Sequence, residues 1–298
     1  MLSSLWPKNR DSDRFVLTTP VVFLVFNRPD LTERVFKRIA AAKPPTLLLV
    51  ADGPRNENDV DACAQVRNIV SRVDWECDVL KNFADTNLGC KHRVASGLDW
   101  VFSQVEEAII LEDDCLPSRS FFYFCQTLLE RYRHDQRIFM ISGNNFQFGI
   151  DRTKDSYYFS RYAEIWGWAT WRRAWQYYDV TMQSWPEFKS AGCMSWVFEH
   201  PEERAYWEPY FQGCYDDKID TWDYIWFYTC LRQSGLTVLP RVNLVSNLGF
   251  GPNATHTFDT QSQFANLPAE ELREIKHPQN LVRHAEADTH YFQKNIKG

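Results

Sequence analysis

Three consecutive carboxylates, Glu112, Asp113 and Asp114, follow the short apolar run at 108–111 and precede Cys115-Leu116-Pro117. A buried strand that delivers acids at its carboxyl end, ahead of a turn and a new helix, places them where open α/β sheets receive ligands. Carboxylates crowded together attract a cation. Hard divalent ions such as Mg²⁺ or Mn²⁺ are held by one or two carboxylates together with substrate phosphates. The segment therefore points to a metal that grips a diphosphate. The same acids also suit the positive end of a helix beginning near Pro117, and capping is the plainer role to weigh against metal binding.

Residues with complementary chemistry sit at the ends of other strand-like runs. Arg28, in Asn27-Arg28-Pro29, is a fork-shaped donor suited to a phosphate or a pyrimidine carbonyl. Asp52, opening Asp52-Gly53-Pro54, can accept from a base imide N–H or a ribose hydroxyl, or can simply start an Asp-Gly turn. Asn87-Leu88-Gly89 forms a fourth such loop.

The elements that must position these groups alternate. Strands are predicted at 16–26, 46–51, 77–83, 108–111 and 138–142. Helices fall between them, at about 30–42, 57–72, 89–104 and 118–133. This order implies βαβ units and an α/β fold, with a mostly parallel central sheet flanked by helices, so that the four loops converge on one edge. From about residue 156 the pattern changes to Trp-rich segments, read as helices and loops of an acceptor lobe, with helices at 203–215 and 222–233 and one strand at 237–239. The last ~30 residues are polar and read as a peripheral arm. No Pro/Gly/Ser linker separates 1–150 from 151–298, so one continuous domain is expected.

Composition narrows the function. Twelve Trp, 13 Tyr and 21 Phe make 15% of the chain, a supply of flat faces suited to sugar rings or to a packed core. A formal net charge of −6 argues against a nucleic-acid binder. Eight scattered Cys without a C-x-x-C pair read as reduced thiols. Neither a signal-peptide core nor a membrane-length apolar run occurs, so the expectation is a cytoplasmic protein, with room for peripheral contact at the inner membrane. Zinc-enzyme His spacing, G-x-S-x-G and the P-loop motif are all missing.

The ordered set V-x-F-x-V-F-N-R-P-D, Asp52, Asn87-Leu88-Gly89, the helix with Lys91, His92 and Arg93, and I-I-L-E-D-D followed by S-x-S-F-F-x-F resembles the nucleotide-sugar-binding half of GT-A glycosyltransferases. It is similar to bacterial family 2-like (hemolytic-protein-like) members and to the N-acetylglucosaminyltransferase I group, over about 19–146 and more loosely to 257. The resemblance implies a GT-A-like fold and a Mn²⁺ or Mg²⁺ cofactor. Asp114 matches the metal ligand; Glu112 and Asp113 match positions near sugar and ribose. Arg28 and Asp52 match nucleotide-binding positions, and Asn87, Lys91, His92 and Arg93 join that set. Trp222-Asp223-Tyr224-Ile225-Trp226 resembles the group's W-D-D-W and makes Asp223 the candidate base, although Tyr224 replaces the second Asp and Asp216, Asp217 and Asp220 compete for the role. In the Gly-rich loop 247–257, Thr255 and His256 are candidates for phosphate or metal contact. Trp166, Trp168, Trp222 and Trp226 are expected to present exposed indoles to the acceptor.

The implied activity is inverting transfer of a hexose or N-acetylhexosamine from a nucleotide-diphosphate sugar, UDP-linked first of all. The acceptor would be a glycan or lipid-linked glycan of bacterial surface polysaccharide. One carboxylate would take the acceptor proton while the metal neutralises the leaving diphosphate. The competing readings are a nucleotidyltransferase, against which no basic Gly-rich loop appears near residue 30, and a non-catalytic carbohydrate-binding protein that kept the fold.

Overall fold

Runs of Val, Leu and Ile bounded by turn residues give the sheet its centre. The computed structural model describes residues 15–251, 259 and 261–297. Strands β1 (Val21–Val25), β2 (Thr46–Ala51), β3 (Asp78–Phe83) and β4 (Glu107–Glu112) pair in parallel in the order β3-β2-β1-β4. Helices α1 (Pro29–Ala42), α2 (Glu57–Val70) and α3 (Gly89–Gln104) connect them. Pro29 starts α1, where its missing N–H costs nothing, and Lys43 ends it in the left-handed conformation at φ 52°. The Asn56 side chain caps α2 by accepting from Asn58 N.

Both faces of the parallel strands are apolar, as burial on two sides requires. Phe23, Leu47, Leu49, Ile109 and Leu111 pack with Phe36 and Val66 on one face. Val22, Leu24, Leu48, Val50 and Ile110 pack with Val94, Leu98 and Val101 of α3 on the other. Each such side chain contributes about 1.5–3 kcal/mol when fully buried.

The chain continues through β5 (Cys115–Pro117), α4 (Arg119–Tyr132), β6 (Ile138–Ser142), β7 (Tyr157–Ser160), β8 (Trp168–Trp171) and α5 (Arg172–Trp175). Then follow α6 (Trp185–Ser190), α7 (Met194–Val197), α8 (Pro201–Tyr215), α9 (Asp223–Arg232), β9 (Leu236–Pro240), β10 (Val245–Asn247) and α10 (Ala285–Tyr291), which runs into a π-helical turn at Phe292–Ile296. The eight-stranded sheet has the order β3-β2-β1-β4-β8-β6-β9-β7, with β8 antiparallel to both β4 and β6. A short antiparallel ribbon joins β5 to β10.

Two expectations need correction. The Trp-rich second half is not simply a helical lobe: besides the expected strand near 237–239, which is β9, β7 and β8 complete the central sheet, and the aromatic and β-branched side chains of Trp-Ala-Thr-Trp suit a strand buried on both faces. Nor is the tail wholly peripheral. Ala287, Asp288 and Phe292 are buried, and Asp288 pairs with Arg283 and accepts from Ser160 Oγ. All eight cysteines are free thiols. Among the described residues no helix is long and apolar enough to cross a membrane.

Candidate active site

Strand register decides which loops meet. Leu24 lies opposite Glu112 and Val25 opposite Ala51, so the residues just beyond these positions emerge together at the carboxyl edge. There they line a cleft of about 920 Å³ whose walls include Arg28, Asp52, Asn87, Glu112, Asp113, Asp220 and Gly249. That volume lies within the range of small-molecule and cofactor sites.

At the floor, Arg28 grips the acidic turn. Its Nε donates to Asp113 Oδ2 at 3.3 Å, its Nη2 bonds Asp113 Oδ1, and its Nη1 lies 2.9 Å from Asp114 Oδ2. Burial opposes the guanidinium charge, but Asp113 and Asp114 outweigh it and push its pKa up. Burial raises the Asp113 pKa, against the pull of Arg28. Half-buried Glu112 is pushed well above the usual carboxyl range by desolvation, then by Asp114 and Asp113. The structure thus turns the Arg28 fork onto the protein's own carboxylates instead of leaving it open for a phosphate.

Asp52 organises the next loop. Its Oδ1 accepts from Gly53 N at 2.8 Å and Leu88 N at 2.9 Å, and its Oδ2 accepts from Asn87 Nδ2 at 3.0 Å. Burial raises its pKa, while the Leu88 and Gly53 N–H groups hold it down. Farther along the cleft wall, Asn27 and Arg55 both donate to Asp59, and the Arg55 bonds lead in holding that carboxyl down to about 2.

The ribbon covers the acidic turn from above. Leu248 N donates to Asp114 O at 2.9 Å and Gly249 N to Asn247 Oδ1 at 2.7 Å. A Cβ on Gly249 would lie 2.8 Å from Asp114 Cγ and 3.1 Å from Arg28 Nη1, and closer still to Asp114 Oδ2. Only glycine lets the backbone approach this near. Thr255 and His256 lie outside the described residues.

Across the cleft, Asp220 accepts from Lys91 N at 3.0 Å. Asp223, the first residue of α9, accepts from Thr221 Oγ1 and Tyr224 N. Asp223 raises the pKa of Glu112, and burial together with Glu112, Asp223 and Asp220 pushes up that of Cys90 on the cleft wall. Asp223 thus acts electrostatically on the acidic turn but is not among the residues lining the cleft, whereas Asp220 is.

Several predicted ligands are placed differently. Lys91 is buried and donates to Cys214 O and Asp217 Oδ1, outside the cleft lining. His92 is exposed, also outside the lining. Arg93 lines the cleft but donates to Ala51 O and Asn82, tying strand ends together. Trp168, Trp222 and Trp226 are buried and form no exposed platform. Trp168 packs 5.6 Å from both of the others, because large indoles gain more from the core than from water. Trp166 alone of the four is half-buried, with its ring 5.6 Å from Phe250 at the cleft.

Asp220, Gly249, Phe250, Asp59 and Arg55 are among the cleft residues that sequence reasoning did not single out as donor or metal contacts, although Asp220 stood among the competing bases and Gly249 and Phe250 within the Gly-rich loop. Asp59 and Arg55 follow the Asp-Gly-Pro turn closely in sequence; the others reach the site only through tertiary folding.

No family model and no curated protein matches this chain. Among solved structures, one similar chain is a UDP-glucose pyrophosphorylase complexed with UDP-glucose, at 10% identity and a TM-score of 0.26, covering 44% of this chain and 64% of that one. This chain thus spans a little under two thirds of that protein. Another is 4-diphosphocytidyl-2C-methyl-D-erythritol synthase from Anaerococcus prevotii DSM 20548, at 10% identity and a TM-score of 0.30, covering 52% and 71%. Likenesses this distant leave the assignment to the geometry of the cleft.

A divalent ion suits the donor set. Three carboxylates face one guanidinium, which leaves an excess of negative charge at the cleft floor. Among the described residues no three His, Cys, Asp or Glu side chains surround a common metal position. The arrangement fits an ion of Mg²⁺ type that completes its shell with diphosphate oxygens, and not a cage built of protein alone.

Proposed function

We propose that the chain is a glycosyltransferase that binds a nucleotide-diphosphate sugar, UDP-linked first of all, in this cleft and passes its hexose or N-acetylhexosamine to a hydroxyl of a glycan or lipid-linked glycan. The observation that supports this reading is the convergence of Arg28, Asp52, Asn87, Glu112 and Asp113 on one cleft at the sheet's carboxyl edge, with Asp114 joined to it through its ion pair with Arg28.

In this reading Asp52 and Asn87 hold the nucleoside, for which the second Asp52 oxygen retains acceptor capacity. Asp114 and Glu112 would hold Mn²⁺ or Mg²⁺, which when bound neutralises the diphosphate. Arg28 keeps Asp113 and Asp114 apart and oriented. Asp223 takes the proton of the acceptor hydroxyl as that oxygen forms its bond to the anomeric carbon and the bond to the diphosphate oxygen breaks. Phe250 and Trp166 supply an aromatic rim against which a sugar can lie.

A thermal-shift screen of nucleotide sugars with and without Mn²⁺ tests the binding step. A ligand at 100 times its Kd should add about 2.7 kcal/mol of stability. Release of UDP from the stabilising sugar identifies glycosyl transfer or hydrolysis. Formation of pyrophosphate from UTP and a sugar 1-phosphate would assign a nucleotidyltransferase instead, and stabilisation without turnover would leave a binding protein.

A further inference from the structure

Lys91 presents an unusual problem: an ammonium buried in the first turn of α3, where a helix dipole repels it. Its partners resolve the problem. Nζ donates to Cys214 O, at the carboxyl end of α8, at 3.1 Å and to Asp217 Oδ1 at 2.8 Å. The connector from α8 to α9 then turns through Asp217 at φ 57° and returns to α3, where Asp220 Oδ1 accepts from Lys91 N at 3.0 Å. Asp220 also lies against the residue that opens the helix: a Cβ on Gly89, whose φ is +78°, would sit 3.0 Å from Asp220 Oδ2. Lys91 thus clamps the connector with its side chain and its backbone at once.

The two ends of this clamp reach different parts of the proposed site. Upstream of Gly89, Leu88 N and Asn87 Nδ2 both bond Asp52. Downstream of Asp220, Thr221 Oγ1 donates to Asp223. A continuous bonded path therefore runs from the nucleoside-binding carboxylate to the candidate base.

We propose that Asp220 is a positioning residue which, through Lys91 N and Thr221, fixes Asp223 relative to the donor-binding loop, so that donor binding at Asp52 and Asn87 orders the base. This rests on the glycosyl-transfer reading above. Asp220 acts through its neighbours: it anchors the connector, and Thr221 carries the orientation to the carboxylate that takes the proton.

The test uses the full chain with Mn²⁺, UDP as the binding probe and the UDP-sugar that most stabilises the wild type as substrate. In Asp220→Ala, kcat for UDP release should fall about 10- to 100-fold, the scale expected when a reacting group is misplaced by about 1 Å. The donor KM should change less than about threefold, and the acidic limb of the kcat–pH profile should move. Asp220→Asn, whose side-chain oxygen still accepts from Lys91 N, should retain most of kcat and the wild-type limb. Thr221→Val should reproduce the kcat loss with donor binding intact, which keeps the proposal testable if Asp220→Ala folds poorly. In hydrogen exchange, UDP should protect residues 216–224 in the wild type and in Asp220→Asn but not in Asp220→Ala. Wild-type kcat in both Asp220→Ala and Thr221→Val, or a loss confined to KM, would overturn the inference while leaving the transferase reading standing. A wild type that neither binds UDP nor releases it from any UDP-sugar would overturn both.

Discussion

Replacing Gly249 by alanine is the sharpest test of how the acidic turn is built. The added methyl would lie 2.8 Å from Asp114 Cγ and 3.1 Å from Arg28 Nη1, well inside van der Waals contact. Asp114 cannot swing away freely, because its Oδ2 is held 2.9 Å from Arg28 Nη1 and its Oδ1 receives Cys115 Sγ at 3.4 Å. Overpacking of this kind costs about 1–3 kcal/mol. Displacing Asp114 from Arg28 would add the loss of a charge-assisted bond, about 1.5–3 kcal/mol. The expected destabilisation is about 3–5 kcal/mol, or roughly 5–8 °C in Tm for a chain of this size. Gly192→Ala is the control: a Cβ there meets nothing within 4 Å, and φ is +74°. Its cost should be the left-handed backbone penalty alone, about 1–2 kcal/mol. Thermal unfolding and a calorimetric UDP titration with Mn²⁺ would be run on both. If Gly249→Ala melts no lower than Gly192→Ala and binds UDP like the wild type, the loop does not press on Asp114 and the account of the cleft floor fails.

Arg28→Met should cost about 3–5 kcal/mol by leaving the buried Asp113 without its cation; adding Asp113→Asn should recover much of this, and a double-mutant cycle without coupling would contradict the pairing. Glu164 is buried, its Oε2 has no partner among the described residues, and desolvation followed by Asp288 holds its pKa well above the usual carboxyl range. Between the ordinary value near 4.3 and that raised value, the folded chain binds more protons than the unfolded one, so this group makes stability fall as pH rises. Glu164→Gln should therefore gain on the wild type in urea unfolding from pH 5 to pH 8, and parallel curves would refute the assignment. Trp226→Ala should lose about 3–5 kcal/mol as a core truncation, whereas half-buried Trp166 replaced by alanine should lose clearly less; equal losses would return Trp226 to the surface.

The parallel half of the fold was legible because each signal was local. Leu-Leu-Leu-Val-Ala runs into Asp-Gly-Pro, and Pro29 sits at a helix start; 46–51 and 138–142 were read to the residue. The short strands β5, β7, β8 and β10 were not legible. Three or four residues carry too little periodicity to be read alone, and the strand-compatible Trp168–Trp171 is fixed as a strand by its pairing with β4 and β6 on either side. The candidate site divides in the same way. Arg28, Asp52 and Glu112–Asp114 stand at strand ends and announce themselves. Lys91 enters the expected nucleotide-sugar-binding set only through the resemblance, and its partners lie at 214 and 217. The Gly249 approach to Asp114 joins segments far apart in the chain, which no short-range pattern encodes.

The reversed strand at the middle of the sheet has a consequence for biosynthesis. β4 is complete once residue 112 has been made, but its open side waits for Trp168–Trp171, and β6 waits for β9 at 236–240. A nascent or truncated chain ending near residue 150 would display an unsatisfied row of peptide groups beside a hydrophobic surface, a template for self-association. The first half of the chain is therefore not expected to express as a stand-alone fragment. Long-range pairing of this kind also makes folding slow, so yield on the ribosome should depend on chaperone supply and temperature more than the stability of the finished molecule would indicate.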